Sequence, residues 1–283
     1  DREMPYLPGM VQSTLAPRWL RRFQWWLADA IFLDRYLSPA VNGLRAHLGL
    51  PRVHRIMNRW WHSPQLVLAM FPEWFCAPQP DWPPNTRLVG FPLWDESTLA
   101  SLPADVESFP AAGGPPIVFT PGSAMLHGHD FFPAAADACR RIGRRGILLT
   151  RFESQIPANL PDGVRHFSYV PFSRLLPRSA ALVPHGGIGT ISQGMAAGVP
   201  HVMMPMAHDQ PDNAHRAERL GISATLPPRR FHGPALAGVL SNLLGSAEVT
   251  LACHRVAAKI AGIDALDDAA VAIEGLVPLA RAA

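Results

Sequence analysis

The sequence predicts an α/β protein whose C-terminal part is built on a parallel β-sheet. From residue 117 onwards, short apolar runs of strand length alternate with patterns of helical spacing. The apolar run 180–184 ends in a glycine-rich turn, and Gly198-Val199-Pro200 separates the next helix from the next strand. Alternation of this kind needs right-handed crossovers, and ligands of such sheets bind at the carboxyl ends of the strands.

The N-terminal part has a different organisation. Residues 10–50 carry apolar side chains at helical spacing and predict two helices, with a break at Ser38-Pro39. A Pro- and Trp-rich region follows, with strand-like runs at 66–69 and 88–90. Residues 103–116 are rich in Pro, Gly and Ala and predict a linker. The predicted organisation is therefore an N-terminal domain (1–102), a linker (103–116) and a C-terminal domain (117–283) whose last helix is able to pack back on the N-terminal domain.

Beyond the linker the elements follow one another regularly. We expect strands at 117–120, 147–151, 164–169, 180–184 and 201–205, and helices at 131–142, 173–176, 190–197 and through most of the tail from Pro234. Asp130 and Thr190 are predicted to cap the helices that follow them. Gly198 is predicted to end its helix in a left-handed conformation.

Composition and charge exclude several classes of protein. The 25 cationic and 22 anionic side chains leave a net charge of +3 with no polybasic run, which does not indicate nucleic-acid binding. The three cysteines are scattered, fit no zinc or redox spacing, and suit a reducing cytoplasm. Even the apolar stretch 25–33 is interrupted by Asp29, so no membrane span is predicted. The chain starts without Met or a signal peptide, and we expect it to be a piece of a longer protein.

Eight tryptophans are concentrated before residue 95. The favoured interpretation is that they form core, while an apolar ligand pocket or contact with a membrane surface stays open.

The strongest chemical pattern is the turn His185-Gly186-Gly187-Ile188-Gly189-Thr190, which joins a buried strand to a helix. Glycines let the backbone approach an anion closely, and the free amides and dipole at the helix start attract negative charge. The hydroxyl of Thr190 and the imidazole of His185 can donate hydrogen bonds to the same group. The turn therefore predicts a phosphate site.

Two other interpretations of nearby residues are less favoured. Gly187, Gly189 and Ser192 nearly match the dinucleotide fingerprint, but the following strand ends without an acidic residue and Asp209 falls in a loop, which disfavours a dehydrogenase. The run His127-Gly128-His129-Asp130 resembles a metal site, but a helix start with Asp130 as its cap is favoured.

Four motifs occur in order: Tyr169-Val170-Pro171, His185 to Thr190, Gly198-Val199-Pro200 and Asp209-Gln210-Pro211. Together they resemble the donor-binding signature of the GT-B-fold glycosyltransferases that include plant glucosyltransferases, glucuronosyltransferases, sterol glucosyltransferases and bacterial antibiotic glycosyltransferases. The resemblance runs from about residue 117 to the end. It implies a GT-B fold with two Rossmann-like domains and parallel sheets, of which the N-terminal one is incomplete here.

The resemblance also implies roles for individual residues. His185, Gly186, Gly187, Gly189 and Thr190, with Ser123 in the loop after the first strand of the domain, would bind the donor pyrophosphate. Gly189 stands where plant members have asparagine, so its backbone amide would replace that side chain. Asp209 and Gln210 would bind hydroxyls of the transferred sugar, since a carboxylate and an amide offer both acceptors and donors.

Tyr169, Val170 and Gln193 would bind the nucleoside. Gln193 replaces the glutamate that bridges the ribose hydroxyls in many users of uridine nucleotides, so both UDP-sugar and dTDP-sugar remain open as donors. Tyr169 takes the place of a stacking tryptophan, and Phe172 replaces a glutamine.

The activity implied by the resemblance is inverting transfer of a hexose to a hydroxyl of a small, hydrophobic or lipid-like acceptor, without a cofactor or a metal. The histidine base of related enzymes lies in the first loop of the N-terminal domain, and no residue here matches it, so the catalytic base is unknown and we expect poor turnover by this chain alone. The sequence does not indicate the oligomeric state. Alternatives are a sugar-nucleotide 2-epimerase-like enzyme of the same fold and a donor-binding subunit that needs a partner chain.

Overall fold

The computed structural model describes residues 16–98, 107–109, 112–122 and 130–276, which form two compact units. The first unit contains the described residues up to Pro92 and those from Asp264 onwards. The second runs from Leu93 to Ile263 and therefore begins before the linker predicted at 103–116. Hydrogen bonds explain the earlier boundary, because Asp95 accepts one from the amide of Ser173 at 2.8 Å.

The first unit starts with a long helical run. Helix α1 (Arg18–Leu27) continues through a π-helical stretch (Ala28–Leu33) into α2 (Asp34–His47). The predicted break at Ser38-Pro39 is wrong, because Pro39 lies inside α2. A proline inside a helix removes a single backbone hydrogen-bond donor, so α2 continues through Pro39. The helical run departs from regular α-helix earlier, in the π-helical stretch before α2.

A small parallel sheet follows in the same unit. Strand β1 (Val67–Ala69) pairs with β2 (Thr86–Leu88), which lies slightly before the predicted run 88–90. The buried aromatic pair of this unit is Phe75 and Phe91, whose ring centroids lie 5.3 Å apart in an edge-to-face arrangement. The helix Ala265–Glu274 also belongs to this unit.

The tryptophans do not form the core that we favoured from the sequence. Phenylalanine and aliphatic side chains fill the buried positions instead, and all eight tryptophans keep solvent contact. The most exposed is Trp19, with 68% of its surface accessible.

The second unit contains a six-stranded parallel sheet, so the predicted α/β class is confirmed. Its strands are β3 (Ile117–Thr120), β4 (Gly146–Leu149), β5 (Val164–Phe167), β6 (Ala181–Pro184), β7 (His201–Met203) and β8 (Ser223–Thr225). Their order across the sheet is β5-β4-β3-β6-β7-β8. Strands β3, β4 and β6 are buried throughout, which explains their uninterrupted apolar sequences.

Helices pack on this sheet. They are α3 (Phe131–Ile142), α4 (Phe172–Leu175), α5 (Ile188–Ala196), α6 (Gln210–Arg219), α7 (Gly233–Leu244) and α8 (Ala247–Ile260). The larger core cluster joins side chains such as Phe119, Phe132 and Leu236, and a second cluster contains Val118, Ile147 and Leu182. Because successive residues of β3 point to opposite faces, the strand contributes to both clusters.

Helix ends differ from the predictions at two positions. Gly187 is the N-cap of α5, so Thr190 lies within the first turn, and its side chain does not cap the helix. Asp130 stands at the N-cap of α3 as predicted, but its backbone is already helical and its side chain makes no capping hydrogen bond. Gly198 has the predicted left-handed conformation, with φ of +69°.

The order of the strands places a switch point between β3 and β6. From β3 the chain proceeds outward to β4 and β5, whereas β6, β7 and β8 continue on the other side. Loops that leave neighbouring strands in opposite directions open a crevice at the carboxyl edge of the sheet, where ligands of doubly wound folds bind. The segments that leave β3 and β6 begin with Pro121-Gly122 and His185-Gly186.

Within the described ranges, no single helix is long and apolar enough to cross a membrane, and one pair bent by 73°, Gly233–Leu244 with Ala247–Glu274, passes on length and composition alone.

Candidate functional site

His185 lies at the centre of this switch point. Its half-buried side chain directly follows β6. A Cβ atom added to Gly122 would lie 2.7 Å from its Cε1 atom, and one added to Gly187 would lie 2.9 Å from the same atom. The imidazole therefore lies against two stretches of bare backbone, one after each strand, and any side chain at these positions would displace it.

The imidazole is incompletely satisfied. Its Nδ1 atom is buried and has no hydrogen-bond partner among the described residues. Burial lowers the pKa of His185, and the carboxylate of Asp209 opposes this in part. The ring is therefore neutral at pH 7 and able both to donate and to accept a hydrogen bond.

The glycine-rich turn continues from His185 into α5. Gly186 has φ of +93°, which only glycine adopts readily, and a Cβ atom there would lie 3.2 Å from the carbonyl oxygen of Gln210. Gly189 and Thr190 lie in the first turn of α5. The amide of Thr190 donates to the carbonyl of Gly187 at 3.1 Å, so the amides that start the helix toward a ligand are those of Ile188 and Gly189. This arrangement presents donors and a positive helix end beside His185, as an anion requires.

The second motif is held against this turn by Asn213. Its side-chain amide donates to the carbonyl of Gly186 at 3.0 Å and to the carboxylate of Asp209 at 2.7 Å. Asn213 therefore joins the turn after β6 to the start of α6.

Asp209 and Gln210 differ in what they offer a ligand. Asp209 is exposed, and Asn213 uses one of its carboxylate oxygens, so the other is free to accept from a hydroxyl. The Oε1 atom of Gln210 accepts from the amides of Met206 and Ala207 at 2.8 and 3.2 Å, which closes its own loop. Gln210 therefore has only its amide protons to offer.

The residue before Asp209 shows backbone strain. His208 has φ of +58°, a left-handed conformation that is uncommon for residues other than glycine. It turns the loop between β7 and α6 just before the predicted sugar-binding pair. Sequence reasoning missed this position, because a histidine does not indicate a left-handed turn.

The residues predicted to bind the nucleoside lie along another part of the crevice. Gln193 is half-buried on α5, one turn beyond Thr190, and Tyr169 is 50% exposed after β5. The side chain of Val170 is 4% exposed and packs in the core, so only its backbone can reach a ligand. Ser123, predicted to approach the phosphates, lies outside the described residues, as do His127, Gly128 and His129 of the alternative metal motif.

Sequence reasoning also missed the segment 93–98, which was assigned to the N-terminal domain. The side-chain amide of Gln193 donates to the carbonyl of Trp94 at 3.2 Å, and the amide of Glu96 donates to the hydroxyl of Tyr169 at 3.3 Å. These contacts join positions far apart in the chain, and nothing in the local pattern indicates them. A cavity of about 400 Å³ lies beside this segment.

The first unit contains a larger cavity of about 680 Å³. Its walls include the aromatic side chains of Trp25, Phe71 and Trp82, together with Arg21 and His62. Its volume and apolar lining are typical of small-molecule sites.

The fold places the chain in a class, because comparison with solved structures finds the same fold in glycosyltransferases. The solved glycosyltransferase of kitacinnamycin superimposes with a TM-score of 0.70 at 20% identity, covering 93% of this chain and 68% of that protein. The calicheamicin glycosyltransferase CalG4 superimposes with a TM-score of 0.62, also at 20% identity, covering 93% and 66%. These likenesses confirm the predicted GT-B fold.

Sequence comparison gives the particular family. Residues 147–267 match the family described as erythromycin biosynthesis protein CIII-like, C-terminal domain. O-mycaminosyltylonolide 6-deoxyallosyltransferase of Streptomyces fradiae is 30% identical over 238 residues, which is 83% of this chain and 55% of that protein. Glycosyltransferase GtfC of Amycolatopsis orientalis is 34% identical over 198 residues, or 69% and 46%.

Residues 147–267 thus carry the C-terminal domain of the erythromycin biosynthesis protein CIII-like family, and the chain is similar to antibiotic glycosyltransferases and shares the GT-B fold, as its motifs predicted. It spans about half the length of the curated relatives that it matches.

Proposed function

We propose that the second unit is the donor site of an inverting glycosyltransferase that moves a hexose from a UDP- or dTDP-sugar to a hydroxyl group. The observation that carries this proposal is the position of His185, a neutral, half-buried imidazole between two glycine backbones at the switch point of the sheet. The bare backbone of the two glycines, the start of α5 and the hydroxyl of Thr190 in its first turn suit a pyrophosphate.

The proposed chemistry depends on the departure of the nucleoside diphosphate. As the bond between the sugar and the phosphate breaks, negative charge grows on the departing oxygen. His185, Thr190 and the first amides of α5 would stabilise that charge by donating hydrogen bonds from fixed positions. We expect this set to work without a metal or another cofactor, so EDTA should leave donor binding unchanged.

The sugar would lie beside the start of α6. Asp209 would accept from one hydroxyl and Gln210 would donate to a neighbouring one, since their remaining hydrogen-bonding groups are of opposite kinds. The base that removes the acceptor proton stays unassigned, because none of the histidines of the first unit is tied to this reaction by an observation.

The acceptor is proposed to be a small hydrophobic molecule. The aromatic lining of the 680 Å³ cavity supports this class, and the S. fradiae relative is by its name an enzyme acting on O-mycaminosyltylonolide. For the donor, the solved spinosyn rhamnosyltransferase SpnG is described in complex with thymidine diphosphate. The experiment on the donor therefore includes dTDP as well as UDP.

The test is a thermal-shift panel with UDP, dTDP, GDP and their sugars, followed by calorimetry for any nucleotide that raises the melting temperature. We expect UDP or dTDP to stabilise the protein and His185→Ala to weaken that nucleotide by roughly 10- to 100-fold, as loss of a hydrogen bond to a charged group does. If no nucleotide changes the melting temperature, the donor-site proposal fails.

A further inference from the structure

The segment Leu93–Thr98 is attached to the second unit through the carboxylate of Asp95. One of its oxygens accepts from the backbone amide of Ser173 at 2.8 Å. The other accepts from the hydroxyl of Ser173 at 3.1 Å and from the amide of Ser97 at 3.1 Å. Burial raises the pKa of Asp95, but these hydrogen bonds outweigh it and lower the pKa overall, so the carboxylate stays charged.

The segment is also joined to Gln193 and Tyr169, two of the three residues that the sequence predicted to bind the nucleoside. Gln193 donates to the carbonyl of Trp94, and the hydroxyl of Tyr169 accepts from the amide of Glu96. Asp95 lies between these two contacts in the chain. Its anchoring to Ser173 therefore holds the two neighbouring backbone groups in place.

The same segment forms one wall of the cavity of about 400 Å³, a volume within the range of small-molecule sites. Gln193 and Phe172 contribute to the lining, and so do Trp94 and Asp95. Trp94 is 61% exposed, so its ring is accessible to a ligand. A flat, partly apolar group with hydroxyls suits these walls.

We propose that Asp95 is a positioning residue, which fixes Trp94 and Gln193 beside the cavity where the expected nucleoside of the donor would lie. The inference rests on the proposed function and adds a specificity element to it.

The hydrogen bond between Gln193 and Trp94 also gives a physical reason for the glutamine at this position. A carboxylate cannot donate to the Trp94 carbonyl, whereas an amide does so and keeps its oxygen free to accept from a ribose hydroxyl. Glutamate would place two acceptors against each other, so Gln193→Glu should loosen the segment.

The first experiment compares Asp95→Ala with Asp162→Ala, which removes an exposed carboxylate from the loop before β5. Calorimetry measures the affinity of each variant for UDP, dTDP and inorganic pyrophosphate. We expect Asp95→Ala to weaken the binding of the nucleotides about 10-fold and to leave that of pyrophosphate unchanged, because the segment contacts Gln193 and Tyr169 on the nucleoside side. Asp162→Ala should bind all three as the parent protein does.

A double-mutant cycle tests whether Asp95 acts through Gln193. In the Gln193→Ala background, Asp95→Ala should weaken nucleotide binding by clearly less than the 10-fold expected in the parent protein, since the side chain that Asp95 positions is already absent. Ser173→Ala removes only the hydroxyl contact and should give a smaller loss of the same kind. It serves if Asp95→Ala does not fold.

The outcomes separate the two proposals. Absence of nucleotide binding by the parent protein contradicts the donor site itself. Binding by the parent with equal nucleotide affinity for Asp95→Ala and Asp162→Ala, or a parallel loss of pyrophosphate affinity in Asp95→Ala, overturns the positioning role while leaving the donor site intact.

Discussion

At the residue scale, His185 combines features that are rarely found together in a side chain without a ligand. Its Nδ1 atom is buried without a partner among the described residues, and its neighbours are two glycines on different loops. A buried polar atom without a partner costs free energy, so it points to a group that arrives later.

This environment predicts that donor binding is linked to protons. Burial lowers the pKa of His185 in the free protein, and a bound pyrophosphate would raise it again. A group whose pKa is higher in the complex takes up a proton on binding, so the affinity should increase as the pH falls through the window between the two values.

Calorimetry in two buffers of different ionisation enthalpy, near the ordinary imidazole pKa of about 6.5, measures this uptake. His185→Gln should abolish it. Proton uptake that persists in His185→Gln would assign the linkage to another group.

Several candidate residues lie where the sequence predicted them, while their roles stay predictions. His185 and Thr190 lie at the predicted turn, and Asp209 lies beside it. Sequence reasoning missed two sets of hydrogen bonds. One anchors Asp95 to Ser173, and the other occupies the side-chain oxygen of Gln210 within its own loop. The local sequence does not indicate which hydrogen-bond partners the donors and acceptors of a side chain take in the folded protein.

At the element scale, the site is formed where two loops meet rather than by either loop alone. Gly122 follows β3, and it touches a histidine that follows β6. The two strands are neighbours because of the strand order, and they are separated in the chain by two complete strand-and-helix units.

Glycine substitutions test this meeting of loops. Gly122 has φ of +98°, and a Cβ atom there would lie 2.7 Å from Cε1 of His185. Gly122→Ala should therefore lower stability by about 1–3 kcal/mol through backbone strain and also weaken nucleotide binding by displacing the imidazole.

The matched control is Gly143→Ala. Gly143 is also left-handed, with φ of +62°, but a Cβ atom there would meet nothing within 4 Å. Gly143→Ala should therefore lower the stability measured by thermal unfolding and leave the nucleotide affinity unchanged. Equal nucleotide affinities in the two variants would show that the contact with His185 does not matter.

Elements were predicted well where burial is uniform and less well at their ends. Strand β3 and helix α3 lie at the predicted residues because an apolar run and its flanking turns are both marked in the sequence. The helix around Pro39 was mispredicted, since a local rule for proline does not register a π-helical stretch that precedes it.

At the scale of the whole molecule, we expect the acid stability of the second unit to depend on a core histidine. His201 starts β7 and is fully buried. Burial lowers its pKa to about 4, although the backbones of Ile191 and Ile222 oppose this in part.

The sign of the effect follows from proton binding. Between about pH 6.5 and about pH 4 the unfolded chain protonates His201 and the folded protein does not, so stability is lost as the pH falls. The loss should reach about 3 kcal/mol at pH 4.

Urea unfolding at several pH values measures this loss. His201→Leu should flatten the profile in this window, whereas His254→Gln, at an exposed position, should keep the slope of the parent. An unchanged slope in His201→Leu would assign the acid sensitivity to other groups.

The exposure of Asp209 has a consequence for the range of donors. When a ligand lacks the matching hydroxyl, a carboxylate in contact with solvent forms a hydrogen bond to water instead, so the free-energy cost of the missing hydroxyl is small. The side-chain oxygen of Gln210 already accepts from a backbone amide, so it does not need a hydroxyl of the sugar as a donor. We therefore expect the site to be tolerant of deoxygenated sugars, and to discriminate between donors chiefly by their shape and by the nucleoside.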